Sequence, residues 1–199
     1  MSNEITVKIS CSLEEMYNDL EDKGFEIVDK YYLEDIYYIP KEIDIRKQPI
    51  RKILSKYVLI RNITQFVPDK FIDNYNLFTI TYKSKNISED GTIIEQNKKD
   101  CIIEDIEQGK EIIKALEYKD IMTIREKTIV YCKNELKLAI KNVENGDNLI
   151  EIETIEDNPE LDTTDKLKEK INELHIDIDT KDYFVQKAEI ELNRILLGE

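Results

Sequence analysis

The chain has 199 residues, 36% charged and 41% hydrophobic, with 11 Tyr, 5 Phe and no Trp. Its 43 acidic residues outnumber 29 basic ones, a formal charge of −14, which argues against nucleic-acid backbones or anionic membranes as partners and requires any phosphate-binding charge to be locally concentrated. No secretory h-region opens the chain and no apolar run approaches the roughly 18 residues that span a bilayer, so the expected location is the cytoplasm.

In chain order, the segment NEITVKIS (3–10) alternates Ile5, Val7 and Ile9 against Glu4, Thr6, Lys8 and Ser10, the signature of a half-buried strand. SLEEMYNDLEDKG follows with Leu13, Met16, Tyr17 and Leu20 at helical spacing, Ser12 and Glu15 as a capping box and Gly24 as the stop. The Tyr- and Ile-rich run 25–39 predicts one or two strands ending at Pro40, and 40–52 reads as an irregular connection. Strands are expected at 56–63, 76–85, 91–103, 120–131, 135–143 and 148–155, with a short Cys-Lys-Asn turn between the fourth and fifth of these regions making a hairpin. Helices are expected at 104–116, capped by Asp105, then at 166–174, and finally from Thr180 through Leu197. About eight strands with short turns favour antiparallel pairing, hence an α+β protein. Cys11, Cys101 and Cys132 form no C-x-x-C pair and show no zinc spacing, which predicts reduced thiols; the single His175 has no neighbouring His or Cys in sequence, which points to a structural or surface role.

The charges fall in phase with the strands. Thr79, Thr81, Lys83 and Lys85 share one phase; Thr123, Arg125 and Lys127 are read as another polar phase against Met122, Ile124 and Val130; Lys137, Ala139 and Lys141 oppose Leu136, Leu138 and Ile140; Glu151 and Glu153 oppose Ile150 and Ile152. One polar stripe is an ordinary wet sheet face. Several in-phase stripes suggest instead an eight-stranded antiparallel barrel, apolar side outward under amphipathic helices, enclosing a tunnel for one small ligand. Lys and Arg would neutralise phosphate oxygens, and carboxylates would supply hard oxygen ligands to Mg²⁺ or Mn²⁺.

This order of motifs resembles the CYTH superfamily, the triphosphate tunnel metalloenzymes that include thiamine triphosphatases, inorganic triphosphatases and class IV adenylyl cyclases. Glu4, Thr6 and Lys8 align with its opening E-x-E-x-K; Asp35, Tyr37 and Tyr38 with its Asp before paired tyrosines; Leu59 and Arg61 with R-x-R; Thr81, Tyr82 and Lys83 with T-Y-K; Lys98 and Asp100 with its middle E-x-E; Arg125 and Lys127 with K-x-R; Glu151 and Glu153 with its closing E-x-E. Thr6, Leu59 and Lys98 replace family motif residues, and Lys141 stands where the family usually carries an Asp.

The resemblance implies a single CYTH-like domain over 1–199, with tunnel strands and covering helices in 1–156 and a C-terminal helical cover in 160–199. It implies that Lys8, Arg61, Lys83, Arg125 and Lys127 hold a triphosphate, that Lys8, Arg61 and Lys83 act in catalysis, and that Glu4, Glu151 and Glu153 hold Mg²⁺ or Mn²⁺. The expected partner is a small-molecule triphosphate or polyphosphate, with no nucleic acid and no membrane, and the expected state is a monomer or homodimer. The expected activity is hydrolysis of an inorganic or organic triphosphate. The alternatives are a weak or inactive polyphosphate- or nucleotide-binding module and a class IV adenylyl cyclase.

Overall fold

A computed structural model describes residues 4–65, 75–87, 93–155 and 157–198. The elements are β1 (Glu4–Ile9), α1 (Leu13–Asp22), β2 (Glu26–Pro40), α2 (Ile50–Ile53), β3 (Lys56–Gln65), β4 (Tyr75–Ile87), β5 (Ile93–Ile103), α3 (Ile106–Ala115), β6 (Tyr118–Lys133), β7 (Leu136–Val143), β8 (Asn148–Glu153), α4 (Thr164–Glu173), β9 (Ile178–Asp179) and α5 (Lys187–Leu197). The expected antiparallel α+β character holds. Among the described residues the sheet has nine strands rather than eight, in the order β5-β4-β3-β2-β6-β7-β8-β1-β9, and this hydrogen-bonded order does not close on itself. Gly91 and Thr92, where the sequence reading began the fifth strand, lie outside the described residues.

The chain divides into two compact units, with β2 and β6 each contributing residues to both. In the first unit, containing the chain up to Tyr31 and Glu126–Gln186, the apolar phases of β1, β7 and β8 build one core. Ile5, Val7, Leu138, Ile140, Ile150 and Ile152 are buried there with Met16 and Leu20 of α1 and Leu167 and Ile171 of α4. The two helices bury just the stripe that their 3.6-residue period aligns. Ser12 caps α1 as expected: its side chain accepts from the Glu15 amide while Glu15 reaches back to the Ser12 amide at 2.9 Å. Gly24 follows with φ +79°, a left-handed turn that a side chain would strain.

The β6–β7 hairpin closes at Lys133 opposite Leu136. Its two loop residues, Asn134 and Glu135, both have positive φ, 48° and 69°, the backbone of a type I′ turn that matches strand twist. The turn therefore lies at Asn-Glu, with Cys132 and Lys133 still in β6.

The second unit, containing Tyr32–Gln65, Lys70–Arg125 and Lys187–Glu199 among its residues, packs α3 on the Val58, Ile60 and Ile80 phase of β3 and β4 around Tyr38, Ile60 and Ile113. Asp105 caps α3, accepting from the Glu107 and Gln108 amides. Gly109 lets the helix approach the sheet, since a Cβ there would lie 2.7 Å from Ile103 Cδ1.

The last helix starts later than the sequence suggests, at Lys187 rather than Thr180. Tyr183 and Val185, aromatic and β-branched, extend alongside β1 instead: the Thr6 amide donates to Tyr183 O and the Val185 amide donates to Thr6 O, both at 3.0 Å. Extended backbone suits such side chains. Two contacts with α4 hold this segment, Tyr183 Oη to Asn172 at 2.8 Å and Lys168 Nζ over the Phe184 ring at 4.9 Å.

Candidate functional site

In the first unit, strand register decides which polar side chains meet. Glu4 lies opposite Glu153 and Thr6 opposite Glu151, while on the other side of β8 Ala139 lies opposite Glu151. These residues share one sheet face because their neighbours Ile5, Ile150, Ile152 and Ile140 are committed to the core. Glu4, Glu151 and Glu153 each offer a carboxylate oxygen, all within 4.8 Å of one another. Three hard oxygen donors at that spacing fit a divalent cation such as Mg²⁺ or Mn²⁺.

Beside them lies a charge network unusual in its burial. Lys141, its side chain 11% exposed, donates to Glu151 Oε2 at 2.6 Å and stands 3.8 Å from Glu126 Oε1, a carboxylate only 1% exposed. Thr128 also approaches Glu126, at 3.5 Å. Burial pushes the Tyr31 hydroxyl's pKa up, and Glu126 and Glu151 add to this; Lys141 and a hydrogen bond with Thr128 oppose it. A buried carboxylate such as Glu126 persists only with a compensating cation and hydrogen bonds. A cavity of about 780 Å³ is lined by Tyr31, Lys137, Ala139, Glu151 and Glu153 among others. Lys8 is on the face of Glu4 and Thr6 and pairs with Asp147 at 2.7 Å.

In the second unit, the polar phase read from β4 is one face of a three-stranded patch. Leu59 lies opposite Thr81 and Arg61 opposite Thr79, and Thr81 and Lys83 lie opposite Asp100 and Lys98. Arg61 donates twice to Asp35, Nε to Oδ1 at 2.7 Å and a terminal nitrogen to Oδ2 at 2.8 Å. Asp35 is fully buried and Arg61 30% exposed, so the fork fixes the guanidinium while leaving part of it open. Thr81 Oγ1 donates to Asp100 Oδ1 at 2.6 Å, and Lys98 pairs with the same carboxylate at 3.1 Å. Burial alone would raise the Asp100 pKa; the Thr81 hydroxyl and the Lys98 and Lys83 ammonium groups outweigh it and hold the pKa below its ordinary 3.8.

The expected site residues therefore fall into three groups. Glu4, Glu151 and Glu153 come together in the first unit, with Lys8 on the same strand face. Arg61 and Lys83 share the polar face of the second unit. Arg125 and Lys127 belong to neither face. Along β6 the buried phase is Met122, Ile124, Glu126 and Thr128, and the odd-numbered residues between are exposed. Lys127 lies opposite Asn142, whereas Thr128 lies opposite Lys141; Arg125 pairs with Glu34 at 2.6 Å. The sequence pattern sets Met122, Ile124 and Val130 against Thr123, Arg125 and Lys127 without singling out Glu126, which lies on the first of these phases and is the buried charge. The signal available was Lys141 on the partner strand of the hairpin, a cation that the 134–135 turn brings into range. Tyr31 was likewise read only as part of a strand.

No family model matches the chain. It is 28% identical over 191 residues to the Methanocaldococcus jannaschii protein named "Putative adenylate cyclase MJ0240", covering 95% of this chain and 96% of that one. Among solved structures it is similar to PH1819 of Pyrococcus horikoshii, with a TM-score of 0.69 at 20% identity over 98% of this chain and 99% of that one. It is also similar to HpAC1 of Hippeastrum, a protein described with a dominant triphosphatase activity, with a TM-score of 0.58 at 16% identity over 100% of this chain and 97% of that one. The likeness is one of fold, and it fits the CYTH-like fold that the motif order suggests.

Proposed function

We propose that this protein is a CYTH-like, divalent-metal-dependent binder and hydrolase of an inorganic or organic triphosphate. The observation that carries the reading is the convergence of Glu4, Glu151 and Glu153, three carboxylates with oxygens within 4.8 Å beside a cavity large enough for a small ligand. The fold likeness to a protein with triphosphatase activity supports it. A ligand-enclosing tunnel, the single-domain organisation over 1–199, the small-molecule partner without nucleic acid or membrane, and a cytoplasmic monomer or homodimer belong to the same proposal.

In this reading Glu4, Glu151 and Glu153 hold Mg²⁺ or Mn²⁺, which when bound neutralises charge on phosphoryl oxygens. Lys8, on the carboxylate face, supplies a flexible ammonium to a phosphate oxygen by leaving its exposed pair with Asp147, which solvent already weakens. In the second unit, Arg61 presents a guanidinium pre-oriented by Asp35, and Lys83 adds a point charge. These groups act by positioning and by stabilising charge as it develops, which is most of what phosphoryl transfer demands of a protein. Arg125 and Lys127, on the exposed phase of β6, are left outside this set.

The test is phosphate release from tripolyphosphate, thiamine triphosphate and ATP with Mg²⁺ or Mn²⁺, comparing wild type with Glu153→Gln. The expected result is metal-dependent release, reduced by about 100-fold or more in the variant if the cation is essential to charge stabilisation. Release unchanged by Glu153→Gln overturns the metal assignment. A second reading, a binding module with little or no turnover, is favoured by one observation: Lys141 already engages Glu151. Ligand binding without turnover under every condition would establish that reading. Formation of cyclic AMP from ATP would instead support the cyclase named in the M. jannaschii relative.

A further inference from the structure

Glu151 is claimed by two cations of different kinds. Its carboxylate belongs to the convergent trio with Glu4 and Glu153, yet its Oε2 already accepts a 2.6 Å charge-assisted hydrogen bond from Lys141. That ammonium is tethered on β7, two residue pairs along from Ala139 opposite Glu151, so it reaches the carboxylate diagonally across the sheet. It has an alternative partner on the other side, Glu126 at 3.8 Å. Glu126 is nearly inaccessible to water, so it retains a demand for the ammonium even when Glu151 is engaged elsewhere.

Resting on the proposed cation site, we propose that Lys141 is a built-in competitor for the divalent metal: its ammonium occupies Glu151 in the metal-free protein and withdraws toward Glu126 when the ion binds. The distances give this shuttle its two stations, and neither requires the lysine to lose its proton. Lys141 then sets the concentration of metal at which the site loads. Glu4 and Glu153 are solvent-exposed and Glu151 is partly buried, and full three-carboxylate coordination waits on the lysine's displacement.

The experiment is Mn²⁺ titration followed by calorimetry on the full chain, for wild type, Lys141→Met, Lys141→Arg and the double variant Lys141→Met/Glu126→Gln. Removing Lys141 alone strands a buried carboxylate and endangers the fold; the double variant removes that carboxylate too and leaves the net charge unchanged. The expected result is Mn²⁺ binding about tenfold tighter in both methionine variants, the scale of one hydrogen bond to a charged group, with Lys141→Arg close to wild type. Equal affinity in wild type and the double variant overturns the competition, as does tightening confined to the single variant, which long-range charge would explain. Absence of Mn²⁺ binding in every form overturns the cation site itself and the competition with it, an outcome distinct from the first two.

Discussion

Thr81 illustrates how one hydroxyl can set the charge state of a neighbour. By donating to Asp100 at 2.6 Å it joins Lys98 and Lys83 in keeping that carboxyl ionised below its ordinary pKa of 3.8. A depressed folded-state pKa contributes stability that is present above the unfolded value and lost as pH falls through the folded one. Thr81→Val should therefore lower stability near neutral pH, and its deficit should shrink as pH falls from 3.8 through the depressed folded-state value, below which Asp100 is protonated in both states. Urea denaturation of both proteins at several pH values checks this; a deficit independent of pH would assign the loss to packing around the buried Thr81 and not to the carboxylate.

At the scale of elements, the type I′ turn at Asn134 and Glu135 offers a clean test of backbone strain. Glu135 holds φ at 69°, a region that costs a side-chain-bearing residue about 1 kcal/mol and glycine almost nothing. Glu135→Gly should stabilise the protein by up to about 1 kcal/mol, less the exposed hydrogen bond that Asn158 donates to Glu135 at 2.9 Å. A thermal or urea midpoint that falls would show that this bond outweighs the strain. The surrounding elements were legible because their causes are local: the Ser12–Glu15 box, the Asp105 cap, and the period-two alternation of β1, β4, β7 and β8 all appear in short windows. Two features were not, and both depend on distant partners. Residues 180–186 have helical length available yet extend along β1, because the free backbone groups of Thr6 pair with Tyr183 and Val185. The burial of Glu126 on β6 was not legible either, because its partner Lys141 lies across a hairpin. In the site, the carboxylate trio could be anticipated from motif spacing, but the lysine that engages one of its members could not, since alternation places a residue on a face without saying what it touches.

For the whole molecule, a formal charge of −14 sets the terms on which a polyanion approaches. Local basic residues act at short range, while the net field repels beyond the Debye length, about 30 Å at 0.01 M salt and 8 Å at 0.15 M. Under the proposed function, association of metal-free tripolyphosphate should accelerate as salt rises through this range, the reverse of ordinary electrostatic steering. Stopped-flow measurement of the association rate decides it: a rate that falls with added salt would mean that the basic residues dominate the field even at long range.

The pairing of β1 also carries a consequence for the order of events in folding. β1 is the first strand of the chain, but it lies between β8 and β9, the last two. Glu4 can meet Glu151 and Glu153 only after loop closure across most of the polypeptide, the kind of contact that slows folding and forms late. A chain emerging from the ribosome thus completes its helices and local hairpins with a carboxylate trio still unmade. Under the proposed function, cation capture would be reserved for molecules whose β1 and β8 have already found each other.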